Sequence, residues 1–386
     1  MVQALGKRLR YGPHRRTPVP WGLMGALLAL VAAESFVARH EFDFTHWGIS
    51  SRGQSGRASR ALAPGCETLC FGDSQVKLGV LPRVIEAETG RRAYNLSICG
   101  AQAPASYFLL RRTLEAGAQP SALVVDYKPN LLVGGPRDFL RDWTELLTPR
   151  ECLELAWRAR DATFFASAIL GRLLPSVPAQ HDLRSNIQVA LRGGSDSWRE
   201  GNLRFRCNWY ANKGAQVTAE SSFQSRVAEW GQQLYMPNVW WCDKVNAVYI
   251  RKFLDLAAVR SSPVFWLLPP ISPEVQARRE QTGVDAKHAQ FVAKALAQHR
   301  NLVVVDGRHS GYGPPAFVDP VHLNRCGAAV FSAELATLLC RAAPLTADGA
   351  RWIALSPFRD RPVGETLEAL DMVRVTAQFE EARRWR

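Results

Sequence analysis

The stretch CFGDSQVKLGV, Cys70 to Val80, decides how this chain is read. An apolar run from Glu67 to Gly72 has the look of a short strand, and it stops at Gly72-Asp73-Ser74. Helix-forming residues follow. A glycine, an acid and a hydroxyl at the mouth of a strand point to chemistry, because ligands of open α/β sheets collect at the carboxyl ends of the strands.

The residues on either side supply the sheet. Ala93 to Ile98, Ala122 to Tyr127 (ALVVDY), Pro263 to Leu268 (PVFWLL) and Leu302 to Asp306 (LVVVD) read as further buried strands. Between them the apolar spacing turns helical. Helices are expected over Pro82 to Thr89, Ala103 to Ala116 and Arg325 to Arg341, with one long helix from Pro273 towards His299. Apolar strands alternating with amphipathic helices define an α/β domain whose parallel sheet is covered on both faces.

The N-terminus is of another kind. Val19 to Ala33 is an uninterrupted run of apolar or small residues, broken by Glu34 and Ser35, and Lys7, Arg8, Arg10, Arg15 and Arg16 precede it. Roughly 20 such residues span a bilayer core. The flanking positive charge predicts a cytoplasmic N-terminus and an exported remainder. A cleaved signal peptide is the competing reading, but no clean small-x-small site follows. The expected organisation is a basic cytoplasmic tail (1–17), a transmembrane anchor (18–38), a polar linker (39–64), a folded domain (65–342) and a C-terminal appendage (343–386). An insertion at about 134–244, partly helical and rich in Trp, is expected to lie over one end of the sheet as a lid.

Composition excludes several classes. The net charge is +13, yet the basic residues are scattered and no zinc finger or RNA-binding signature is present, so nucleic acid is not the expected partner. Cys66 and Cys70 are separated by three residues, with no second pair and no paired histidines, and HEFDFTH lacks the HExxH spacing. Gly-x-Gly-x-x-Gly after the first strand and a P-loop are both missing. No metal and no cofactor are implied. Eight cysteines fit an exported domain able to carry disulfides, with no pairing assigned.

The strand ends make a constellation. Ser74 closes the first strand, Gly100 follows the second in NLSICGAQ, Asn130 follows the third in DYKPNLL, and FVDPVHLN places Asp319 and His322 before the last helix. A serine needs an adjacent base to act as a nucleophile, and imidazole titrates near neutrality. Asp319, three residues earlier on the same loop, reaches the other ring nitrogen. The Ser74 and Gly100 backbone N–H groups and the Asn130 amide are candidate donors for a tetrahedral oxyanion. Asp73, Gln75, Arg308 and Tyr312 are candidate substrate contacts. Blander readings stand beside these. Asn130 is equally a turn residue after Pro129, Asp126 satisfies loop amides, and Trp198, Trp209, Trp240 and Trp241 pack the lid rather than stack on sugars.

Gly72-Asp73-Ser74, a glycine after the second strand, an asparagine after the third and a late Asp-x-x-His together resemble the SGNH (GDSL) hydrolase superfamily. With the N-terminal anchor, the likeness is closer to its polysaccharide O-acetylation branch. It covers about residues 65 to 341, the insertion excepted. Lys128-Pro129-Asn130 stands where the hydrolases usually carry Gly-x-Asn-Asp. The resemblance implies a three-layer α/β/α domain, Ser74 as nucleophile, His322 as base, Asp319 as its orienting acid, and Gly100 and Asn130 as oxyanion donors. It also implies acyl transfer to an envelope or secreted polysaccharide, or hydrolysis of such esters, on the periplasmic side of the inner membrane. A multi-pass membrane acyltransferase would be the acyl donor. The alternative is an inactive SGNH-fold module that binds glycan or supports assembly.

Overall fold

The computed structural model describes residues 21–39, 47–192, 198–218, 239–341 and 351–359. Six strands form one parallel sheet in the order β2-β1-β3-β4-β5-β8. They are β1 (Thr68–Phe71), β2 (Ala93–Asn95), β3 (Ala122–Asp126), β4 (Val264–Leu268), β5 (Leu302–Asp306) and, after the hairpin strands β6 (Phe317–Asp319) and β7 (His322–Leu323), β8 (Trp352–Ala354). The α/β class and the parallel sheet are as expected from the alternating pattern.

Side chains alternate across the sheet with the period of two that a pleated strand imposes. Leu69, Phe71, Leu123, Val125, Trp266 and Val304 join the cluster on one face. Cys70, Val124, Phe265, Leu267, Val303 and Val305 join the cluster on the other. The helices Ala103–Glu115 and Lys244–Val259 cover the first face, and Pro82–Thr89 and Arg325–Cys340 cover the second. In this strand order the connection leaves β1 one way to β2 and the other way to β3. The crevice at the β1/β3 carboxyl ends is therefore the topological switch point.

Three sequence expectations are corrected. The polar stretch expected as a linker is, over Trp47–Ala61, a helix that buries Ser55, Ala58 and Ser59 against the domain. Its small residues allow close packing although it has little apolar character. The single helix after Pro273 is two, Pro273–Gln281 and Val284–Gln298, because Gly283 takes a left-handed φ of 72° between them. Part of the expected appendage, Trp352–Ala354, is the sixth strand and pairs with β5; the rest of that appendage lies largely outside the described residues. The insertion includes the helices Leu140–Leu146, Pro149–Ala159 and Ala162–Leu173, whose Trp143, Leu155, Phe164 and Ala168 join the first-face cluster together with the Ala103–Glu115 helix. Trp209 and Trp240 are buried in that cluster and Trp241 is exposed, while the side chain of Trp198 lies outside the described residues.

Among the described residues one helix, Trp21–Arg39, is long and apolar enough to cross a membrane. All eight cysteines are free thiols. Burial pushes up the thiol of Cys70, inside β1, and that of Cys99, in the turn after β2.

Candidate active site

The site begins with β1, all four of whose residues are buried. Its ladder to the chain after β2 continues past the strand proper: Leu96 N–H donates to Cys70 O at 2.7 Å and Ile98 N–H to Gly72 O at 3.0 Å. At Gly72 the backbone turns with φ 127°, a conformation few L side chains adopt. A Cβ there would also lie 1.8 Å from Asp126 Oδ1. Glycine is thus required twice over.

Asp73 answers why an acid precedes the serine. It is the N-cap of the short helix Ser74–Gly79, its Oδ1 accepting the Gln75 N–H at 2.7 Å. Its own N–H donates to Asp126 Oδ1 at 2.9 Å, so the end of β3 clamps the turn after β1. Burial, and then the negative charge of Asp73, push the Asp126 carboxyl well above the usual carboxylate range. The far end of the same helix is fixed by Asn95, whose amide donates to Val76 O and Val80 O at 2.9 Å each. Asn95 was not singled out in the sequence; the signal was a fully buried asparagine in an apolar strand.

Ser74 occupies the first position of this helix, where a backbone N–H has no intrahelical acceptor. Its Oγ lies 2.7 Å from His322 Nε2, across 248 positions of sequence. His322 Nδ1 lies 2.6 Å from Asp319 Oδ2. The Asp-x-x-His segment is a tight hairpin in which Asp319 and His322 are direct cross-strand partners. Asp319 Oδ1 accepts the Val321 and His322 N–H groups at 2.9 and 3.0 Å, which fixes the carboxylate against its own turn. Burial works against that charge. The hydrogen bond and charge of His322 and the two amides outweigh it and hold the Asp319 carboxyl below the usual carboxylate range.

The hairpin is tied to both flanks. Gln75 Nε2 donates to Val321 O at 3.3 Å, Thr218 Oγ1 donates to Leu323 O at 3.3 Å, and Asn324 caps the Arg325–Cys340 helix. Part of the insertion therefore does reach the site. Residues 213–218 run along the edge of β2 (Asn95 N–H to Lys213 O, 2.9 Å) and past the Ser74 helix (Gln216 N–H to Lys77 O, 2.9 Å). The expected lid residues 219–238 lie outside the described residues.

The remaining sequence candidates divide. Gly100 sits in the turn Ile98–Ala101, closed by the Ala101 N–H to Ile98 O at 3.0 Å, directly after the ladder beside Gly72. Its φ is 73°, and the space where a Cβ would stand is open. Asn130 lies in the short helix Pro129–Leu132 that follows β3 on the other side. Its Oδ1 is buried with no hydrogen-bond partner among the described residues. Gln102, Trp240 and Asn246 stitch this loop in place through Gly134 O, Pro129 O and Leu132 O.

The four expected substrate contacts are placed otherwise. Asp73 and Gln75 are buried and engaged as cap and strut. Arg308 donates to Asp306 and forms an ion pair with Asp285, so its guanidinium is engaged by two carboxylates. Tyr312 is buried with its ring 4.6 Å from that of Phe358. Asp73 is held by a near neighbour, whereas Gln75, Arg308 and Tyr312 are each engaged by a partner distant in sequence.

The chain matches no protein-family model and no curated protein. What the arrangement can do chemically follows from its geometry. An imidazole held by a carboxylate at one nitrogen and by a hydroxyl at the other is set to take the hydroxyl proton.

Proposed function

We propose that this chain is a membrane-anchored, extracytoplasmic serine acyltransferase or esterase of the SGNH type, acting on acyl esters of a cell-envelope or secreted polysaccharide. In this reading the domain is a three-layer α/β/α fold with the insertion as its lid. The observation that carries it is the hydrogen-bonded row Ser74–His322–Asp319 at the β1/β3 switch point.

In this mechanism Ser74 Oγ attacks the acyl carbonyl as His322 Nε2 takes its proton, and Asp319 steadies the imidazolium. The oxyanion of the tetrahedral intermediate is met by the Ser74 and Gly100 N–H groups and the Asn130 amide, each worth about 3 kcal/mol in the barrier. His322 returns the proton to the leaving alkoxide, and an acyl-serine remains. A sugar hydroxyl or water, deprotonated by His322, then attacks that ester and restores Ser74. Trp21–Arg39 is the single-pass anchor, and a multi-pass membrane acyltransferase is the proposed acyl source.

The test is a fluorophosphonate probe on the full chain in detergent. Labelling that disappears in Ser74→Ala and in His322→Ala supports the reading. A correctly folded protein that never labels, yet binds envelope glycan, overturns it in favour of the non-catalytic module.

A further inference from the structure

Glu34 is the acid that breaks the apolar N-terminal run, and the mechanism has no use for it. It is the one residue of the Trp21–Arg39 helix that is buried, whereas Leu27, Leu28 and Val31 are exposed. Its carboxyl group accepts two hydrogen bonds from one residue 142 positions away: Ser176 N–H at 2.8 Å, and Ser176 Oγ. Ser176 opens the insertion helix Ser176–Leu191, whose first-turn N–H groups have no intrahelical acceptors. A polar group at membrane depth is costly unless it is partnered, and this contact partners it.

The contact also sets a height. Glu34 is thirteen residues from Trp21, or about 20 Å along the helix, and about 8 Å short of Arg39. A hydrocarbon core of roughly 30 Å then places Glu34 just inside one boundary of the bilayer. Ser176 must lie at that level too. The residues beside it are apolar and uncovered: Leu170 is 49% exposed, Leu173 70% and Val177 37%. Leu170 and Leu173 share the outer face of Ala162–Leu173, a short apolar helix that carries Thr163 and Ala166 on the same side. Interfacial helices bury their apolar face about 5–10 Å into the headgroup and acyl boundary, which is the depth the Glu34 contact imposes.

We infer that the junction of the Ala162–Leu173 and Ser176–Leu191 helices is a second, monotopic membrane contact, clasped to the anchor by Glu34 and docked into the lipid interface through Leu170, Leu173 and Val177. The inference rests on the anchor reading. Its consequence is orientation: the domain does not swing on a tether but is held at a fixed attitude to the membrane surface.

The experiment uses the full chain in nanodiscs of phosphatidylethanolamine and phosphatidylglycerol. A fluorescent amino acid replaces Leu173, Leu28 or the exposed Lys287, one at a time, and nitroxide-labelled lipids serve as quenchers. Quenching at Leu173 close to that at Leu28, and about threefold or more above that at Lys287, is expected for an interfacial position. Glu34→Ala should bring the Leu173 signal down towards that of Lys287 without changing Leu28, and Glu34→Gln, which keeps an acceptor, should restore part of it. Quenching at Leu28 but not at Leu173 overturns the inference and leaves the anchor standing, whatever protein surface then covers the leucines. Quenching at neither position overturns both. Quenching at Leu173 that is indifferent to Glu34→Ala overturns the clasp.

Discussion

The turn after β1 and the insertion between residues 134 and 244 are built on opposite plans. Around Ser74 the polar side chains are engaged over short distances, mostly with backbone: Asp73 with Gln75 N–H, Asn95 with two carbonyls, Asp319 with two amides. The insertion's helices, beside their apolar packing, attach instead through long charged side chains. Arg112 donates to Glu151 Oε1 at 2.8 Å and to Leu146 O at 2.8 Å, and Glu154 pairs with Arg111 and Lys252 at 2.7 Å each. Its outer face leaves Leu153, Trp157 and Leu173 exposed. Backbone-directed bonds fix a geometry to a fraction of an ångström, as chemistry demands. Side-chain pairs fix only which helix lies against which.

The largest expected effect sharpens the first half of this contrast. Ser74→Ala or His322→Ala should lower turnover of an activated ester by about 10⁴-fold, measured as kcat/KM, since members of such a row act as a unit. Asp319→Asn should approach the same loss. The Asp319 carboxyl is held below its ordinary value, so its support is present above that value and is lost as pH falls through the lowered one. A double variant, Ser74→Ala with His322→Ala, that loses the product of the two single effects would show that they do not act together.

The second prediction tests the other half. Arg112 and Glu151 are both nearly fully buried, at 3% and 5% side-chain exposure. Burial opposes the Glu151 charge, but Arg112 and the Thr148 cap outweigh it and lower its carboxyl. Arg112→Met or Glu151→Gln strands the surviving partner and should cost about 3–5 kcal/mol in denaturant unfolding. In wild type this contribution is present above the ordinary carboxylate pKa and fades as pH falls through the lowered one. If the regions are independently built, probe labelling of Ser74 survives in the variants under conditions where they stay folded. Labelling lost in step with the insertion's unfolding would break the comparison.

The contrast also explains what the sequence could announce. Gly72-Asp73-Ser74 and Asp319-x-x-His322 are legible because turn, cap and hairpin chemistry acts over two or three residues. The strands are legible because a buried sheet requires apolar runs. The helix Trp47–Ala61 was not, since its burial rests on serines and alanines meeting neighbours far along the chain. Nor was β8, two half-exposed residues and an exposed one held by β5 and by Arg351, whose guanidinium donates to Leu296 O and His299 O. Arg308 and Tyr312 looked available because nothing nearby in sequence reveals Asp285 or Phe358. A residue's availability is a tertiary property, whereas its turn chemistry is local.

A smaller effect follows from Gly72. Alanine there meets both a left-handed φ and the Asp126 carboxyl, and should cost about 3 kcal/mol in thermal or denaturant unfolding. The double variant Gly72→Ala, Asp126→Ala should recover the steric part but not the backbone part. Additive losses in that cycle would mean that Asp126 does not clamp this turn.

The smallest effect has the opposite sign and lies on the helix that carries Ser74. Lys77 is buried, its Nζ donating to Ser97 O at 3.1 Å and lying 5.6 Å from the centre of the Trp209 ring. Burial pushes its ammonium down to about 8 from an ordinary 10.5, against a smaller opposing influence of the Cys99 thiol. Below about 8 both folded and unfolded chains hold the proton, so the folded state carries the whole desolvation cost, at most about 3 kcal/mol. Between that value and 10.5 the unfolded chain holds more protons than the folded one, so wild-type stability rises with pH. Lys77→Met should therefore be more stable than wild type by about 1–3 kcal/mol at pH 7, once the lost hydrogen bond of about 1 kcal/mol is allowed for. That advantage should shrink towards zero or reverse as pH approaches 10.5, measured by denaturant unfolding across the range. If Lys77→Met is less stable at neutral pH, the Ser97 contact outweighs the buried charge, and the helix under Ser74 depends on a charged side chain just as the insertion does.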